Sequence, residues 1–120
     1  ILYPSIGEGG YCLTKDPWFL DRFSTQMGLQ LMTPKTSRTI NERMPEISST
    51  RIKNLLTNED ENPSGKIIAI LGVSFKSNTG DMRNTPSVQI ANDLSESGAI
   101  VRIYDPLVDE DDFSSFRWVA

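Results

Sequence analysis

The fold is decided by the stretch at positions 66–72, which reads Lys66-Ile67-Ile68-Ala69-Ile70-Leu71-Gly72. A continuous apolar run that ends in glycine is typical of a parallel strand buried on both faces. A second apolar run, at 99–104, predicts another strand. Between the two runs, Thr85-Pro86 supplies a helix cap with proline at the first turn, and Gly98 supplies the helix end. Strand, helix and strand in this order predict a right-handed βαβ unit, and so an α/β fold.

The sequence before this unit predicts two amphipathic helices, one over about 17–32 and one over about 37–56. Thr33-Pro34 should end the first helix, and Pro45 should kink or divide the second. Two helices of this size cannot bury their own apolar stripes, so we expect them to pack on another domain or on another chain.

The polar, acidic stretch 58–65 predicts a linker that separates a segment 1–57 from a segment 66–120. Since the chain does not begin with methionine, we expect it to be an internal part of a longer protein.

Composition excludes several classes of function. The chain has 120 residues, 38% hydrophobic content and a net charge of −4. It has no basic stripe, so nucleic acid is not an expected partner, and no apolar run of roughly 20 residues that would span a membrane. Its acidic runs at 59–61 and 109–112 lack metal-site spacing, so we expect solvated loops and no metal. One cysteine and no targeting segment favour the cytoplasm.

The single cysteine, Cys12, follows the glycine-rich run Gly7-Glu8-Gly9-Gly10-Tyr11. Asp16-Pro17 predicts a helix N-cap, which would place Cys12 just ahead of a helix N-terminus with Lys15 nearby. The positive end of the helix and the charge of Lys15 would both favour a reactive thiolate. The alternative is a small buried apolar residue, as most free cysteines are. The chain has no histidine, so a Cys-His dyad within it is excluded.

The loop 73–83 should lie at the carboxyl ends of the strands, where βαβ units bind ligands. It has no GxGxxG fingerprint. Its Lys76 and Arg83 suit phosphate or sugar contacts, but each could equally be a surface charge. Asp105 follows the second strand, where it could hold a ribose hydroxyl or simply make a turn.

Two stretches resemble one family. The run at 9–20, Gly9-Gly10-Tyr11-Cys12-Leu13-Thr14-Lys15-Asp16-Pro17-Trp18-Phe19-Leu20, is similar to the catalytic-cysteine segment of the UDP-glucose/GDP-mannose dehydrogenases. The run at 71–86 resembles the motif that opens the C-terminal nucleotide-sugar domain of that family. The resemblance makes 1–57 the catalytic-cysteine loop with the central dimerisation helices. It makes 66–120 the first part of a Rossmann-like UDP-sugar domain. The run at 16–20 is more similar to members that act on UDP-N-acetylhexosamines than to UDP-glucose dehydrogenase.

This resemblance implies an NAD-dependent enzyme that oxidises a sugar C6 alcohol to a carboxylate through a thiohemiacetal and a thioester on Cys12. It implies that Asp16 is catalytic and that Lys15 and Arg83 contact NAD. The nucleotide sugar, a UDP-hexose or a UDP-N-acetylhexosamine, would be held by Tyr3, Ile6, Gly7, Gly9, Phe75 and Lys76. The resemblance also implies a homodimer, and it places the NAD domain outside this chain.

Glu8 departs from the small or apolar residue that is usual in the sugar loop of this family. The alternative to an enzyme is a non-catalytic nucleotide-binding or oligomerisation module in which Cys12 only packs.

Overall fold

The computed structural model describes residues 5–57 and 62–113. These residues form, in chain order, the elements α1 (Cys12–Gln26), α2 (Met32–Thr57), β1 (Ile67–Leu71), α3 (Pro86–Glu96), β2 (Ile100–Tyr104) and α4 (Glu110–Phe113). The α/β class is confirmed. Tyr3 and the first half of the expected linker, 58–61, lie outside the described residues. None of the helices within the described ranges is long and apolar enough to cross a membrane.

The βαβ unit is present as predicted. Strands β1 and β2 pair in parallel, from Ile67 opposite Ile100 to Leu71 opposite Tyr104. Helix α3 begins at Pro86 and ends at Glu96, and Gly98, whose φ of +88° suits glycine, turns the chain toward β2. The core of the unit lies between α3 and one face of the sheet, and its buried members are Ile90, Ala91, Leu94, Ala99 and Val101.

The expectation that the first strand is buried on both faces is wrong for the described residues. Ile68 and Ile70 of β1 pack against the core under α3, but the alternate residues Ile67 and Leu71 are 60% and 80% exposed. Side chains of a strand alternate between faces, and α3 covers only one of them. The face of β1 that points away from α3 is therefore apolar and exposed.

The first helix is displaced from its predicted position. It begins at Cys12, with Tyr11 as N-cap, so Asp16 is not a cap and Pro17 lies inside the helix. It ends at Gln26 because Gly28, with φ +73°, turns the chain, and the N–H of Leu29 donates to the Ser24 carbonyl at 2.9 Å. The prediction of a helix N-cap at Asp16 is therefore wrong.

The second helix, α2, is longer than predicted and undivided. Pro34 lies in its first turn, where the missing N–H costs nothing, so Thr33-Pro34 begins a helix and does not end one. Pro45 is accommodated inside α2. Helix α2 packs on both α1 and α3. The Ser49 hydroxyl donates to Asp93 of α3 at 2.8 Å, so α2 is bonded to the βαβ unit. It also contacts the residues 7–16 around the thiol, which we call the Cys12 segment.

Candidate functional site

Cys12 is the first residue of α1, and it is exposed. The exposure does not fit the alternative of a buried apolar residue. Because α1 already begins at Cys12, Asp16 follows it by one helical turn on the same side of the helix. Asp16 is thereby placed beside the thiol by the helix itself, although it is not the cap that the sequence predicted.

The glycines before Cys12 are in contact with the loop that follows β1. Gly9 and Gly10 are buried, and a Cβ atom built on Gly9 would lie 2.6 Å from the Phe75 Cβ atom. A Cβ atom on Gly10 would lie 2.8 Å from the tip of the Phe75 ring. Only glycine permits this approach, so the two stretches that carry the family resemblance pack directly on each other.

Hydrogen bonds fix the same junction. The Gly10 N–H donates to the Arg83 carbonyl at 2.7 Å, and the Asn84 side-chain amide donates to the Gly10 carbonyl at 3.1 Å. Asn84 has a φ of +51°, a conformation that asparagine tolerates better than most residues. The loop after β1 thus binds both the N–H and the carbonyl group of Gly10, two residues before Cys12.

Helix α2 holds the Cys12 segment from a second direction, through Asn41. The Glu8 N–H donates to Asn41 Oδ1 at 2.7 Å, and Asn41 Nδ2 donates back to the Glu8 carbonyl at 3.1 Å. Sequence reasoning missed Asn41 and Asn84. Asparagine is common on helix surfaces and in turns, and nothing local marks these two as partners of a distant backbone.

Arg83 lies beside the Cys12 segment. Its guanidinium group is 4.8 Å from the centroid of the Tyr11 ring, and it forms an ion pair with Asp81. The hydrogen bond from Arg83 lowers the pKa of Asp81 to about 2. Asp81 in turn raises the pKa of Arg83, with smaller contributions from Tyr11 and Cys12. The Arg83 guanidinium group, paired with Asp81, therefore lies against the ring of the residue that precedes Cys12.

The other predicted contacts lie around this junction. Lys15 is exposed, with Nζ 3.9 Å from Asp16 Oδ1 and 5.3 Å from the centroid of the Phe19 ring. Lys76 is exposed next to Phe75, and Ile6 is also exposed. A Cβ atom on Gly7, whose φ is +129°, would lie 3.4 Å from the Asn41 carbonyl and 3.4 Å from Pro86 Cβ.

The carboxylate of Asp105 accepts hydrogen bonds from the loop after β1 and from its own turn. Asp105 Oδ2 accepts from the Val73 N–H at 2.9 Å and from the Ser74 N–H and hydroxyl, each at 3.1 Å. Oδ1 accepts from the Leu107 N–H at 3.0 Å. These bonds, led by the one from Val73, lower the pKa of Asp105 to about 2. Of the two interpretations of Asp105, the geometry supports the turn.

Comparisons with known proteins agree with this geometry. Residues 69–118 match the UDP binding domain of the UDP-glucose/GDP-mannose dehydrogenase family. The UDP-N-acetyl-D-mannosamine dehydrogenase of Pyrococcus horikoshii is 39% identical over 106 residues, which is 88% of this chain and 24% of that protein. The solved structure of the UDP-D-ManNAc dehydrogenase from this organism superposes with a TM-score of 0.80 at 37% identity, covering 91% of this chain and 25% of that one.

The chain belongs to the UDP-glucose/GDP-mannose dehydrogenase family. Its relatives act on more than one sugar. A solved NDP-N-acetyl-D-galactosaminuronic acid dehydrogenase from Methanosarcina mazei Go1 has a TM-score of 0.82 at 30% identity, covering 92% of this chain and 25% of that one. The UDP-glucose 6-dehydrogenase 4 of Oryza sativa subsp. japonica is 34% identical over 98% of this chain and 25% of that protein. The chain spans about a quarter of the length of these dehydrogenases.

Proposed function

We propose that the protein carrying this chain is an NAD-dependent UDP-sugar 6-dehydrogenase of the cytoplasm, which oxidises a C6 alcohol to the uronate. A UDP-N-acetylhexosamine is the substrate we favour, because the relatives include UDP-N-acetyl-D-mannosamine dehydrogenases. The observation that carries the proposal is the junction at Cys12. An exposed thiol begins a helix, and the Gly10 backbone two residues before it is hydrogen-bonded to the loop of a UDP binding domain.

The charges near Cys12 fit a dinucleotide cofactor. Lys15 is an exposed cation within the Cys12 segment, and Arg83 is an exposed cation that lies against Tyr11 of the same segment. Cations of this kind are suited to phosphate groups. We assign these two residues to NAD, which supplies the hydride acceptor for both oxidation stages when it is bound. The ion pair with Asp81 fixes the position of Arg83 before any ligand arrives.

Cys12 divides the four-electron oxidation into easier stages. The first two-electron oxidation converts the C6 alcohol to an aldehyde. The Cys12 thiolate then adds to the aldehyde carbon, and the carbonyl oxygen takes up the electron pair and a proton to give a thiohemiacetal. Oxidation of this adduct leaves a thioester on Cys12. Water then attacks the thioester carbon, the C–S bond breaks with its electrons on sulfur, and the acid leaves. The start of α1 suits this chemistry, because helix N-termini stabilise negative charge.

Asp16 is the residue we assign to the hydrolytic water. It is exposed and lies one turn beyond Cys12 on the same helix, so a water molecule next to the thioester would be within reach of its carboxylate. We assign Phe75, Lys76, Ile6, Gly7, Gly9 and Tyr3 to the nucleotide sugar. Of these, Phe75 and Gly9 are in mutual contact at the junction.

Replacement of Cys12 tests the covalent mechanism. In the full-length protein, Cys12→Ser should abolish uronate formation while NAD and nucleotide-sugar binding stay nearly unchanged, because a serine alkoxide forms far less readily than a thiolate. Wild-type-like uronate production by the serine variant would disprove the mechanism.

Thiol labelling separates the enzyme from the alternative, a non-catalytic module. Iodoacetamide should modify Cys12 quickly at neutral pH, and the nucleotide sugar should protect it. Slow labelling that the nucleotide sugar does not change would favour the non-catalytic module.

A further inference from the structure

Arg83 uses only part of its guanidinium group for contacts within the described residues. Its Nε donates to Asp81 Oδ1 at 2.8 Å and to Oδ2 at 3.0 Å, and its Nη2 donates to Asp81 Oδ2. A guanidinium group carries five N–H donors in a planar fork, so the donors of Nη1 and one donor of Nη2 have no partner in this part of the chain. The side chain is 56% exposed. The edge formed by Nη1 and Nη2 is therefore open to a ligand, and such an edge can donate two parallel hydrogen bonds to a phosphate group.

Asp81 determines which edge of the Arg83 guanidinium group is open. Its backbone carbonyl accepts from the Phe75 N–H at 3.1 Å, and its Oδ1 also accepts from the Arg83 backbone N–H at 3.0 Å. The carboxylate is thus fixed in the loop after β1, and it is only 23% exposed. Because it occupies the edge formed by Nε and Nη2, it leaves the opposite edge of the group for a ligand.

Tyr11 supports the guanidinium group from a second direction. The group lies over the Tyr11 ring, 4.8 Å from its centroid, and an aromatic ring attracts a cation in this position. The Arg83 carbonyl in turn accepts from the Gly10 N–H at 2.7 Å. Both the side chain and the backbone of Arg83 are therefore held by the Cys12 segment.

Asp81 has two opposing effects on an anion that approaches Arg83. Its negative charge repels the anion, whereas its hydrogen bonds order an exposed arginine side chain before the anion arrives and so reduce the entropy lost on binding. We propose that Asp81, supported by Tyr11, is a positioning residue that presents the Nη1–Nη2 edge of Arg83 to a phosphate group of the dinucleotide. This role rests on the proposed function, in which Arg83 contacts NAD. The two effects of Asp81 predict opposite results when its charge is removed.

The test measures the dissociation constant of NADH by fluorescence titration of the full-length protein. Asp81→Asn keeps one oxygen that can accept from the Arg83 backbone N–H, but its amide nitrogen cannot accept from the guanidinium group. The dissociation constant should rise about fivefold, although a negative charge has been removed. The control Glu96→Gln removes an exposed carboxylate at the other end of α3 and should bind NADH as the wild type does. An unchanged or lower dissociation constant for Asp81→Asn would overturn the positioning role and leave the assignment of Arg83 to NAD intact.

A double variant shows whether Asp81 acts through Arg83. Arg83→Ala alone should weaken NADH binding by about tenfold or more. Asp81→Asn combined with Arg83→Ala should bind NADH as Arg83→Ala does, because no guanidinium group is left to position. A further fivefold loss in the double variant would mean that Asp81 acts on the shape of the loop, and the proposal would be wrong. Unchanged NADH binding by Arg83→Ala would instead show that Arg83 is wrongly assigned to NAD, and the positioning role would fall with it.

Tyr11 gives a second test, which covers the case in which Asp81→Asn does not fold. Tyr11→Leu removes the ring beneath the guanidinium group and should raise the NADH dissociation constant about threefold. Tyr11→Phe keeps the ring and should retain the affinity of the wild type. Equal affinities of Tyr11→Leu and Tyr11→Phe for NADH would contradict the proposed support of Arg83.

Discussion

Phe75 occupies the space that any side chain at Gly9 would need. A Cβ atom at Gly9 would lie 2.6 Å from Phe75 Cβ and 2.8 Å from the Asn84 carbonyl oxygen. Gly9 and Phe75 are far apart in the sequence, and they are in direct contact where the Cys12 segment meets the βαβ unit. The position of the thiol therefore depends on the loop after β1 as well as on its own helix.

Gly9→Ala should displace the Cys12 segment. The added methyl group would meet the Asn84 backbone as well as Phe75, so it cannot be accommodated by rotation of one side chain. We expect a loss of about 1–3 kcal/mol in the free energy of unfolding, with a large fall in kcat. Gly28→Ala is the control. Its φ is +73° and its surroundings are open, so it should lose about 1 kcal/mol through backbone strain and keep its kcat. Equal kcat values for the two variants would contradict this role of Gly9.

The βαβ unit was predictable from the sequence because its signals are local. The apolar runs, the proline after Thr85 and the glycine at position 98 each act within a few residues, and the structure confirms all of them. The boundaries of α1 and α2 were not predictable in this way. Asp16-Pro17 and Thr33-Pro34 have the composition of a helix start and a helix end, and in both cases the surrounding chain is helical in spite of them.

The candidate site could be proposed from the sequence where unusual residues mark it. Cys12 and Arg83 stand out in type and setting, and the structure places the Arg83 guanidinium group against Tyr11, the residue before Cys12. The residues that position them could not be found from the sequence. The bonds of Asn41 and Asn84 to the Cys12 segment join positions far apart in the chain, and only the folded arrangement shows them.

Asn41→Ala should loosen the Cys12 segment without removing any group assigned to the chemistry. Two hydrogen bonds to Glu8 are lost, so we expect about 1–3 kcal/mol less stability and a several-fold lower kcat with little change in the KM for NAD. Asn41→Asp keeps the acceptor for the Glu8 N–H and should restore part of kcat. Asn54→Ala, an exposed asparagine on the same helix, is the control. If Asn41→Ala lowers stability but leaves both kcat and the iodoacetamide rate of Cys12 unchanged, the residue does not position the thiol.

Lys76→Ala and Arg83→Ala should separate the two ligands of the proposed enzyme. Lys76 adjoins Phe75 and is assigned to the nucleotide sugar, whereas Arg83 lies against Tyr11 and is assigned to NAD. Loss of a charge-assisted hydrogen bond should weaken the corresponding ligand by about tenfold or more. Steady-state kinetics with each ligand varied in turn provide the measurement. Small, equal effects of both variants on both ligands would mean that the two residues are ordinary surface charges.

The exposed side of α1 should form a homodimer interface. Phe19, Phe23 and Met27 recur every fourth residue and are 62%, 61% and 63% exposed. Large apolar patches are uncommon on the surfaces of monomers. We expect a dimer by light scattering at micromolar concentration, and Phe23→Asp should raise its dissociation constant by about 100-fold. Gln26→Asp, with the same added charge on the same helix, should leave the dimer intact. A monomeric wild-type protein would contradict the prediction.

Asp105 should make the stability of the βαβ unit depend on acid. Its ordinary pKa of 3.8 is lowered to about 2, chiefly by the Val73 N–H, so the folded state favours the ionised carboxylate. The stabilisation is therefore complete above about pH 4 and is lost as the pH falls through about 2.

The side chain introduced by Asp105→Asn does not ionise, so this variant lacks the pH-dependent stabilisation that the carboxylate gives the folded state. At neutral pH it should be less stable by about 1.5–3 kcal/mol, because a neutral amide with one acceptor oxygen replaces the two charged oxygens that accept from Val73, Ser74 and Leu107. Between pH 4 and pH 2 the wild type should lose free energy of unfolding faster, and the two curves should converge. Urea unfolding followed by circular dichroism at a series of pH values measures both curves. Asp81, whose pKa is also low, is present in both proteins, so its effect cancels in the comparison. Parallel curves would show that the carboxylate of Asp105 does not hold the loop in the way its hydrogen bonds indicate.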